Sequence, residues 1–371
     1  MEDLTFYLLL LTIWLASTLL IRHLTSNRRH RLPPGPLPIP LIGHLPLLGT
    51  LPHLSLHRLS AYYGPVISLR LGSSPLIAVN STSAACEVFK THDIAFSDRP
   101  RSYASLRYSY GGPGFAFGPS TPYWRFMKKL CVSELLGSRT LDALRPIRRQ
   151  ERLRLVATLN EAAARGVFTA GSDTTATLLE WALAELINNP SIQYKAQQEL
   201  DSVVGKHRLV EESDVPNLPY LQSIAKETLR LHSPVPISHR IATRDAKILD
   251  YDVPAGTIIF INLWSIHRDP DNWVDPFEFK PERFEDMALE EKQKNLLHYA
   301  PFGGGRRGCP GMTLGLDVVH VTLASLVQCF EWGVDGGKVD MKEGMGLTSP
   351  RKNPIVCMPR VRLNPFPTLH E

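Results

Sequence analysis

A glycine-rich stretch with two arginines and one cysteine is the strongest chemical signal in the sequence. It reads PFGGGRRGCPG, residues 301–311, and an apolar run from Met312 to Phe330 follows it. Three successive glycines let the backbone adopt conformations that a Cβ forbids and let it approach a bound group closely. Two adjacent arginines supply fixed positive charge and paired donors for carboxylates or phosphates. The pattern points to Cys309 as a sulfur displayed beside a binding loop.

Two ordinary explanations of this loop fail because the residues that they require are missing. A phosphate-binding loop ends in Lys-Ser or Lys-Thr, and no such pair occurs here. A zinc site needs a second Cys or His at ligand spacing, and none is present near Cys309. A lone buried cysteine is usually inert, but Cys309 stands beside Arg307 and just before a predicted helix N-terminus, and both features stabilise a thiolate. A single thiolate on a glycine loop suits the proximal ligand of haem iron.

A second polar stretch, AGSDTT at 170–175, places one acid and two hydroxyls within a predicted helical segment. Ser, Thr and Asp are poor residues inside a helix because their side chains compete for backbone hydrogen bonds. Two interpretations are open. Ser172 or Asp173 is the N-cap that starts a helix, or the segment is a local distortion that leaves room for a small ligand. In the second interpretation Asp173 and Thr174 deliver protons to that ligand.

Two further pairs lie at helical spacing. Glu227 and Arg230 are three residues apart on one predicted helix face, a pair that contributes only a few tenths of a kcal/mol in isolation, and Arg283 is available as a third member. Trp124 and Lys128 are one helical turn apart, and both can hydrogen-bond a carboxylate. The alternative for the second pair is helix packing by the indole with a lysine at the surface.

Composition excludes several classes of protein. With 371 residues, 43% hydrophobic and 21% charged, the chain has ordinary globular proportions and can bury a large core. Its five cysteines are few and scattered, so we expect a reducing compartment and no disulfide framework. The net charge of +5 is mild and no long basic run with interleaved aromatics occurs, so we expect no nucleic-acid partner.

The N-terminus predicts a membrane anchor over residues 1–31. Leu4–Ile21 is 18 residues without a charge, the minimum expected of a spanning helix. Acidic residues precede it and arginines follow it, which places the rest of the chain on the cytoplasmic side. A cleaved signal peptide is the alternative, but the basic leading region is missing. Residues 32–43 are proline-rich and predict a stiff hinge, and residues 44–371 read as one globular domain.

The periodicity of the globular part predicts a mainly α fold with a small β region. We expect a β-hairpin over Pro65–Asn80, a long loop over Tyr103–Pro122 and a β-rich segment over Ala246–Ile261. The predicted helices are Thr82–Thr91, Pro122–Leu136, Leu141–Ala164 (ended by Gly166), Thr174–Asn188, Ser191–Val204, Leu218–Leu231 and Met312–Phe330.

Together these stretches resemble the cytochrome P-450 superfamily of haem-thiolate monooxygenases, from the anchor to the tail. The positions that match its haem-binding loop are Phe302, Gly305, Arg307, Cys309 and Gly311. The other matches, in the family's order, are Trp124 and Lys128 on its haem-propionate helix, Ala170–Thr175 in its oxygen-activation motif, Glu227 and Arg230 in its Glu-x-x-Arg helix, Arg240 at a further propionate contact, and Arg283 as the arginine that pairs with Glu227. Lys128 stands where arginine is more usual.

The resemblance implies a role for each of these residues. Cys309 is expected to be the axial ligand of haem b, with the loop's backbone N–H groups tuning the sulfur. Residues expected to hold the propionates are Trp124, Lys128, Arg240 and Arg307. Asp173 and Thr174 are expected to relay protons during oxygen activation, and the substrate is hydroxylated or desaturated.

The resemblance also implies a redox partner, NADPH-cytochrome P-450 reductase, whose flavins pass electrons from NADPH. Residues 128–154 contain eight Lys or Arg against three Asp or Glu, and such a basic face can dock an acidic flavin domain. A solvated helix face is the alternative for this segment.

Family detail points to the substrate class. Residues 96–105 (FSDRPRSYAS) and 123–151 are similar to plant microsomal members that act on flavonoids, in the flavone synthase, flavanone 2-hydroxylase and pterocarpan hydroxylase group. This implies a small flavonoid substrate, a flavanone, and a single-pass location in the endoplasmic reticulum membrane with the catalytic domain facing the cytoplasm. Residues 232–250 are less typical of that group.

The chain departs from the family pattern between Trp124 and Ala170. Family members carry several more helices there, so the sequence predicts an internal shortening at Gly166/Val167 and a P-450 fold that lacks several central helices. The alternative function is then an inactive, membrane-anchored remnant that at most binds haem or the reductase. The apolar stripe of Leu179, Leu183 and Leu186 is then expected to lose its cover, and either to face water or to collapse onto the wrong partners.

Overall fold

The computed structural model describes residues 2–26, 30–100, 106–107, 115, 118–165, 168–169, 174–285, 298–346 and 348–367. The junction at Gly166/Val167 and the predicted catalytic Asp173 lie outside the described residues, as does most of the predicted loop at 103–122. Helices predominate over strands in the described part, so the prediction of a mainly α fold with a small β region is confirmed.

The helices follow the predicted periodicity closely. In chain order they are α1 (Glu2–Ser26), α2 (Leu45–Leu48), α3 (Pro52–Tyr63), α4 (Thr82–Cys86), α5 (Pro122–Leu130), α6 (Ser138–Ala143), α7 (Arg145–Arg165), α8 (Thr174–Asn188), α9 (Pro190–Val203), α10 (Pro219–Leu231), α11 (Leu263–Ile266) and α12 (Met312–Cys329). Single π turns extend α4 to the predicted end at Thr91 and α5 to Leu135, one residue before the predicted end. The single helix predicted at Leu141–Ala164 is instead divided at Leu144 into α6 and α7. Short 3-10 segments occupy Glu212–Asn217, Pro281–Phe284 and Gly305–Arg307.

The strands form one main sheet and two small ones. They are β1 (Val66–Leu71), β2 (Ser74–Val79), β3 (Phe168–Thr169), β4 (Ile237–Ile241), β5 (Ala246–Ile248), β6 (Tyr251–Val253), β7 (Ile258–Asn262), β8 (Phe330–Gly333) and β9 (Val356–Val361). The main sheet has the order β1-β2-β7-β4, with β2 and β7 parallel and the other pairs antiparallel. The hairpin predicted at Pro65–Asn80 is confirmed, because Leu71 pairs with Ser74 across a two-residue turn.

The core is built where α8, α9, α10 and α12 pack together. Buried apolar residues of these four helices form one continuous cluster, and α12 contributes fully buried positions such as Leu323 and Val327. Of the helices in the described residues, α12 is also the one long and apolar enough to cross a membrane, but 56% of it lies buried inside the protein. Its apolar run is therefore explained by the core.

Of the two outcomes expected for the apolar stripe of α8, exposure to water is ruled out, because the stripe is covered. Leu186 is 0% exposed and Leu183 only 5%, while Leu179 is partly buried against the core. Helix α7 supplies the cover, because its Leu153 and Val156 lie in the same apolar cluster as Leu183. This contact could not be predicted from the sequence, because α7 and α8 meet only through tertiary packing.

The N-terminal segment begins with the predicted helix. α1 spans the expected Leu4–Ile21, and all the described side chains from 5 to 17 are exposed. The membrane span itself stays a prediction. The proline-rich segment 32–43 that follows is joined to β1, where the Ser68 N–H donates to the Pro34 carbonyl (2.9 Å) and the Arg70 N–H donates to the His44 Nδ1 (2.8 Å).

Candidate active site

Cys309 ends a tightly folded loop that precedes α12. The Cys309 N–H donates to the Phe302 carbonyl (3.0 Å), and the Gly308 N–H donates to the Gly305 carbonyl (3.0 Å) in the 3-10 segment. These bonds turn the chain back on itself before the helix starts. The Cys309 side chain is exposed and lines a large cavity, so its sulfur is available to a bound group.

The glycines of the loop are required by close neighbours. Gly305 has φ +62°, and a Cβ there would lie 2.3 Å from the Asp93 Oδ1 and 2.7 Å from the Phe89 carbonyl oxygen. A Cβ on Gly304 would lie 2.9 Å from the Phe89 ring. No side chain fits at such distances, and the left-handed backbone at Gly305 disfavours one as well. The loop therefore lies flat against the π turn that follows α4.

Two side chains outside the loop hold it in place. Asp93 accepts the Arg306 N–H (2.9 Å) and pairs with the Arg306 Nε (3.0 Å). At the start of the loop, the Ala300 N–H donates to the Nε2 of His267 (3.1 Å). Burial and the nearby Arg268 and other cations lower the pKa of His267 to about 3, so its ring stays neutral and can accept this bond.

Phe302 and Gly311 flank the cysteine. Phe302 lines the cavity and packs against the cluster of α8, α9, α10 and α12. Gly311 is the residue before α12, and a Cβ there would lie 4.0 Å from the Cys309 Sγ. Both residues therefore shape the space around the sulfur.

The cavity has a volume of about 830 Å³, within the range of about 300–1,000 Å³ that is usual for ligand and cofactor sites. Apolar residues of α8, α10 and α12 line it, among them Leu178, Leu229 and Val319. The predicted residues Trp124, Lys128 and Arg307 line it as well. The structure thus brings together an apolar space, one sulfur and several cations.

Trp124 and its neighbours form a stacked group at the edge of the cavity. The Arg307 guanidinium lies 3.8 Å from the centroid of the Trp124 ring, and the Lys128 Nζ lies 5.5 Å from it. The indole Nε1–H donates to the Phe115 carbonyl (2.8 Å), and the Lys128 Nζ donates to the Arg306 carbonyl. Their predicted contacts with propionates are not tested by these bonds and stay predictions.

Arg240, predicted as a further propionate contact, lies beside the cavity rather than among its lining residues. Its guanidinium donates to the Ser238 Oγ (2.8 Å) and to the carbonyls of His239 (2.8 Å) and Gly304 (3.2 Å). The side chain is 2% exposed. It therefore supports the cysteine loop from behind.

Arg99, which was not among the predicted site residues, lines the cavity and donates to the His239 carbonyl (3.2 Å). Its Nε is buried without a hydrogen-bond partner. Burial lowers the pKa of Arg99, of Arg240 (to about 9) and of Arg307 (to about 10), and Arg99 lowers the latter two further by charge repulsion. Arg99 lies in the FSDRP stretch, residues 96–100, which resembles the family. Nothing in the neighbouring sequence, however, distinguishes Arg99 from a surface arginine.

Apart from Arg307, these cations lack anionic partners within the described part of the chain. Arg99 and Arg240 form no ion pair there, and the carboxylate nearest to Arg307 is that of Asp98, at 3.8 Å. Lys128 has its pKa lowered by burial and by Arg307. A ligand with two carboxylates would relieve this accumulated positive charge.

Glu227, Arg230 and Arg283 form the expected cluster, here called the Glu227 cluster. The Arg230 Nε and Nη2 each donate to Glu227 at 2.8 Å, and the Arg283 Nε donates to the Glu227 Oε1 at 2.9 Å. Arg230 and Glu227 are fully buried. The Arg230 Nη1 also donates to the His267 carbonyl (2.7 Å), which connects the cluster to the residue that holds Ala300.

On the side of α8, Thr174 is exposed, begins the helix and lines the cavity together with Thr175. Its predicted partner in proton delivery, Asp173, lies outside the described residues. The assignment of Thr174 as a catalytic residue stays a prediction.

The other cysteines differ from Cys309 in their surroundings. Cys329 and Cys357 are buried, and burial raises the pKa of their thiols to about 12 and about 11, so both stay protonated. Cys86 and Cys131 are half-buried, and neither lines the cavity. Cys309 is thus the cysteine placed to act as a ligand.

The basic segment 128–154 is largely neutralised by the protein itself. Each of the arginines of α7 up to 154 has a carboxylate within 4 Å; the partners are Asp142, Glu151, Glu211 and Glu212. Among the described residues, Lys128, Lys129 and Arg139 form no such pair. Fewer basic residues are therefore available for docking than the eight that occur in this segment of the sequence.

The residues around Cys309 fit a haem group. In the described residues, no group of three His, Cys, Asp or Glu is placed to hold a metal ion unaided, so the lone sulfur suits a cofactor that brings its own iron. The cavity is apolar, as a porphyrin requires. The unpartnered Arg99 Nε and the cations beside it match two propionates.

Comparison with known proteins agrees with this fit. The family model for cytochrome P450 matches residues 33–167 and 161–358, in two segments that meet close to the predicted junction. Cytochrome P450 93A3 of Glycine max is 36% identical, with 97% of this chain and 99% of the relative covered. For 3,9-dihydroxypterocarpan 6A-monooxygenase of the same species the values are 35%, 97% and 99%. A flavonoid 3'-monooxygenase of Crocosmia x crocosmiiflora is 31% identical, with 97% and 99% covered.

The three alignments extend over 505, 508 and 503 residues, more than the 371 residues of this chain. Each relative therefore has residues that find no counterpart here. The match nevertheless runs over nearly the whole chain and includes the cysteine loop and the Glu227 cluster. The chain belongs to the cytochrome P450 family, the haem-thiolate monooxygenases.

Proposed function

We propose that the protein binds haem b through Cys309 and hydroxylates or desaturates a small flavonoid. The observation that carries this proposal is the position of the exposed Cys309 in an apolar cavity that is also lined by Arg99, which forms no ion pair in the described part of the chain. Haem with thiolate ligation supplies oxygen activation and favours cleavage of the O–O bond.

The chain's own residues supply binding and positioning. Arg307, Lys128 and Arg99 bind the propionates, and Arg240 keeps the loop in place through the Gly304 carbonyl. Apolar side chains such as Leu178 exclude water from the substrate side. Thr174 holds a proton at its hydroxyl oxygen where α8 meets the cavity, and Asp173 supplies it from the preceding residue.

The flavonoid substrate is supported by the relatives. One is named a pterocarpan monooxygenase and another a flavonoid 3'-monooxygenase. A further relative, of Glycine max, is named a β-amyrin 24-hydroxylase and is 34% identical, so a triterpenoid is the competing substrate class. Turnover assays that offer a flavanone and a triterpenoid side by side distinguish the two.

Electrons reach the site from NADPH through the flavins of NADPH-cytochrome P-450 reductase. The unpaired Lys129 and Arg139 favour docking of an acidic flavin domain near α5 and α6. α1 anchors the chain in the endoplasmic reticulum membrane in a single pass, and the arginines after it keep the domain on the cytoplasmic side.

Replacement of the axial ligand tests the haem assignment. The reduced, carbon monoxide-bound protein should show the red-shifted Soret band of a thiolate complex, and Cys309→His should abolish that band. As matched controls, Cys86→Ser and Cys131→Ser should leave the spectrum unchanged. An unchanged band in Cys309→His would contradict the assignment of Cys309.

A second candidate function is haem binding without turnover. It is favoured by alignments longer than the chain and by the location of the predicted junction at Gly166/Val167, directly before the oxygen-activation motif. We propose that segments which complete the substrate side are missing here. Burial of Leu183 beside α7, and of Leu186 in the core of α8, α9, α10 and α12, argues that the remaining part still folds.

Restoration of the intervening segment tests this second candidate. We expect the full chain to bind haem but to turn over flavanones at least about tenfold more slowly than a form with the family's segment inserted between Gly166 and Val167, because substrate positioning is lost. Equal NADPH-dependent turnover by both forms would show that the shortened chain is a complete enzyme.

A further inference from the structure

A carboxylate, Glu343, lies behind the cavity wall and accepts hydrogen bonds from three side chains. The His53 Nε2 lies 2.5 Å from the Glu343 Oε2, the Ser349 hydroxyl donates to the same oxygen (3.3 Å), and the Trp264 indole donates to Oε1 (3.2 Å). The side chains of Glu343 and His53 are only 14% and 4% exposed. We call these four residues the Glu343 group. All of them lie outside the set of described residues that line the cavity.

Glu343 is ionised although it is largely buried. Burial by itself raises the pKa of Glu343, but the His53 bond, the charge of Arg268 and the Trp264 bond outweigh it, and the net result is a lowered pKa. An ionised carboxylate only accepts hydrogen bonds, so the His53 ring is the donor. A buried charge is costly, and an apolar side chain of similar volume often gives equal or higher stability. The carboxylate therefore points to a requirement on the position of its donors.

The Glu343 group joins parts of the chain that are far apart in sequence. His53 lies in α3, Trp264 lies in α11, and Glu343 and Ser349 lie between β8 and β9. The two helices are also linked directly, because the Asn262 side chain, just before α11, donates to the His53 carbonyl (2.9 Å). The carboxylate therefore fixes Ser349 relative to a frame made of α3 and α11.

The part of the cavity wall next to this group is residues 234–236, between α10 and β4, here called the wall segment. It reads Pro-Val-Pro. Pro234 and Val235 line the cavity, and Val235 is 43% exposed. Because prolines have no N–H, backbone carbonyls are the principal points by which this segment attaches to its neighbours.

Both ends of the wall segment are held by members of the Glu343 group. The Ser349 N–H donates to the Pro234 carbonyl (2.9 Å), and the Trp264 N–H donates to the Pro236 carbonyl (3.2 Å). The side chains of these same two donors are the ones that bond to Glu343. The valine between the prolines is therefore held from both sides by residues that one carboxylate fixes.

We propose that Glu343 is a positioning residue for the substrate: through Ser349 and Trp264 it fixes the place of Val235 in the cavity wall. Glu343 itself does not touch the substrate. The inference rests on the proposed function, because it requires that the cavity binds a flavonoid. It adds a determinant of substrate affinity that lies behind the wall and not in it.

Amide hydrogen exchange of the full chain tests the attachment itself. Glu343→Gln keeps the shape of the side chain but removes its charge, so the Ser349 and Trp264 amides should exchange about tenfold faster. The Ser349 carbonyl also accepts the Trp181 Nε1–H (2.9 Å), so the wall segment should loosen while the chain stays folded. Unchanged exchange at both amides would overturn the inference.

A carboxylate that holds backbone N–H groups elsewhere supplies the matched control. Glu199 is partly buried and accepts the N–H groups of Tyr220 (2.7 Å) and Leu221 (2.9 Å) at the start of α10. Glu199→Gln should speed exchange at those two amides and leave the Ser349 amide unchanged. If it speeds exchange at Ser349 as strongly as Glu343→Gln does, the effect is a general loosening and the inference fails.

Titration of the haem-loaded chain with the flavanone naringenin tests the consequence for binding. Glu343→Gln should weaken naringenin binding by about tenfold, whereas imidazole, which is bound mainly by the iron, should keep its affinity. Val235→Ala should weaken naringenin binding as well. Glu343→Gln added to Val235→Ala should then have little further effect, because both substitutions act through one side chain. Additive effects of the two would overturn the inference.

The two measurements separate this inference from the proposed function. If naringenin does not bind the unmodified chain, the flavonoid proposal fails, whereas faster exchange at Ser349 and Trp264 still supports the positioning role of Glu343. If naringenin binds Glu343→Gln and the unmodified chain equally well, the flavonoid proposal stands and the inference fails.

Discussion

Two groups of buried arginines adjoin the cysteine loop, and they are neutralised in opposite ways. In the Glu227 cluster, Arg230 and Arg283 share one carboxylate, and the remaining donors of Arg230 reach backbone carbonyls. Around the cavity, Arg99 and Arg240 have only carbonyl and hydroxyl acceptors among the described residues. Buried charges neutralised within the chain serve folding, and those left without a counterion are placed for a charged ligand.

The first prediction removes the carboxylate of the Glu227 cluster and has the largest expected effect on the free energy of unfolding. Glu227→Gln leaves Arg230 and Arg283 buried without a counter-charge, which costs about 3–5 kcal/mol. That loss approaches the whole stability of an ordinary domain, about 5–15 kcal/mol. Thermal unfolding and soluble yield measure it. Asp201→Asn removes a partly exposed partner of Arg362 and serves as control, with a cost of about 1 kcal/mol or less. An equal loss of stability in both variants would contradict the role of the Glu227 cluster as a buried charge group that stabilises the fold.

The second prediction concerns the protonation of two buried histidines, His239 and His320, on acidification. Burial, together with Arg99 and Arg240, lowers the pKa of His239 to about 4, and burial lowers that of His320 to about 4. The unfolded chain binds these protons near pH 6.5 and the folded chain does not, so stability is complete above pH 6.5 and is lost as the pH falls towards 4. Each such histidine contributes about 1.4 kcal/mol per pH unit within that window.

Denaturant unfolding of the haem-free protein between pH 4.5 and 6.5 measures this loss. His239→Phe, which keeps a ring against Phe260, should reduce the slope by the share of one histidine. A slope that is identical in the variant would show that His239 is protonated in the folded state.

The third prediction tests the arginines around the cavity against those of the Glu227 cluster, and its expected effect on stability is the smallest. Arg240→Met removes a buried charge that has no counterion among the described residues, so the haem-free protein should change in stability by about 1 kcal/mol or less in either direction. Haem retention should nevertheless fall by about tenfold, because Arg240 holds the Gly304 carbonyl behind the cysteine loop. Measurement of haem transfer to apomyoglobin gives the retention. Unfolding of Arg240→Met as severe as that of Glu227→Gln would mean that both groups serve folding.

Much of the local structure and the cysteine loop followed from the sequence. α8 has the predicted bounds, since its apolar stripe and the Asn189-Pro190 pair after it are local signals, and the hairpin of β1 and β2 needs only a two-residue turn. The loop at 301–311 was recognisable because glycine, arginine and cysteine types carry its chemistry directly. β8 and β9 were not predicted, because each becomes a strand only by pairing with a partner more than twenty residues away.

The sequence by itself determined the family and the pairing of Glu227 with Arg230, and it predicted the ligand cysteine, because motif spacing and helical periodicity depend on neighbouring residues. Only the tertiary structure decided that α7 covers Leu183, that Glu211 and Glu212 neutralise the arginines of α7, and that Arg99 faces the cavity. Burial and charge neutralisation arise from residues far apart in the chain. Their outcome depends on packing, which local patterns do not encode.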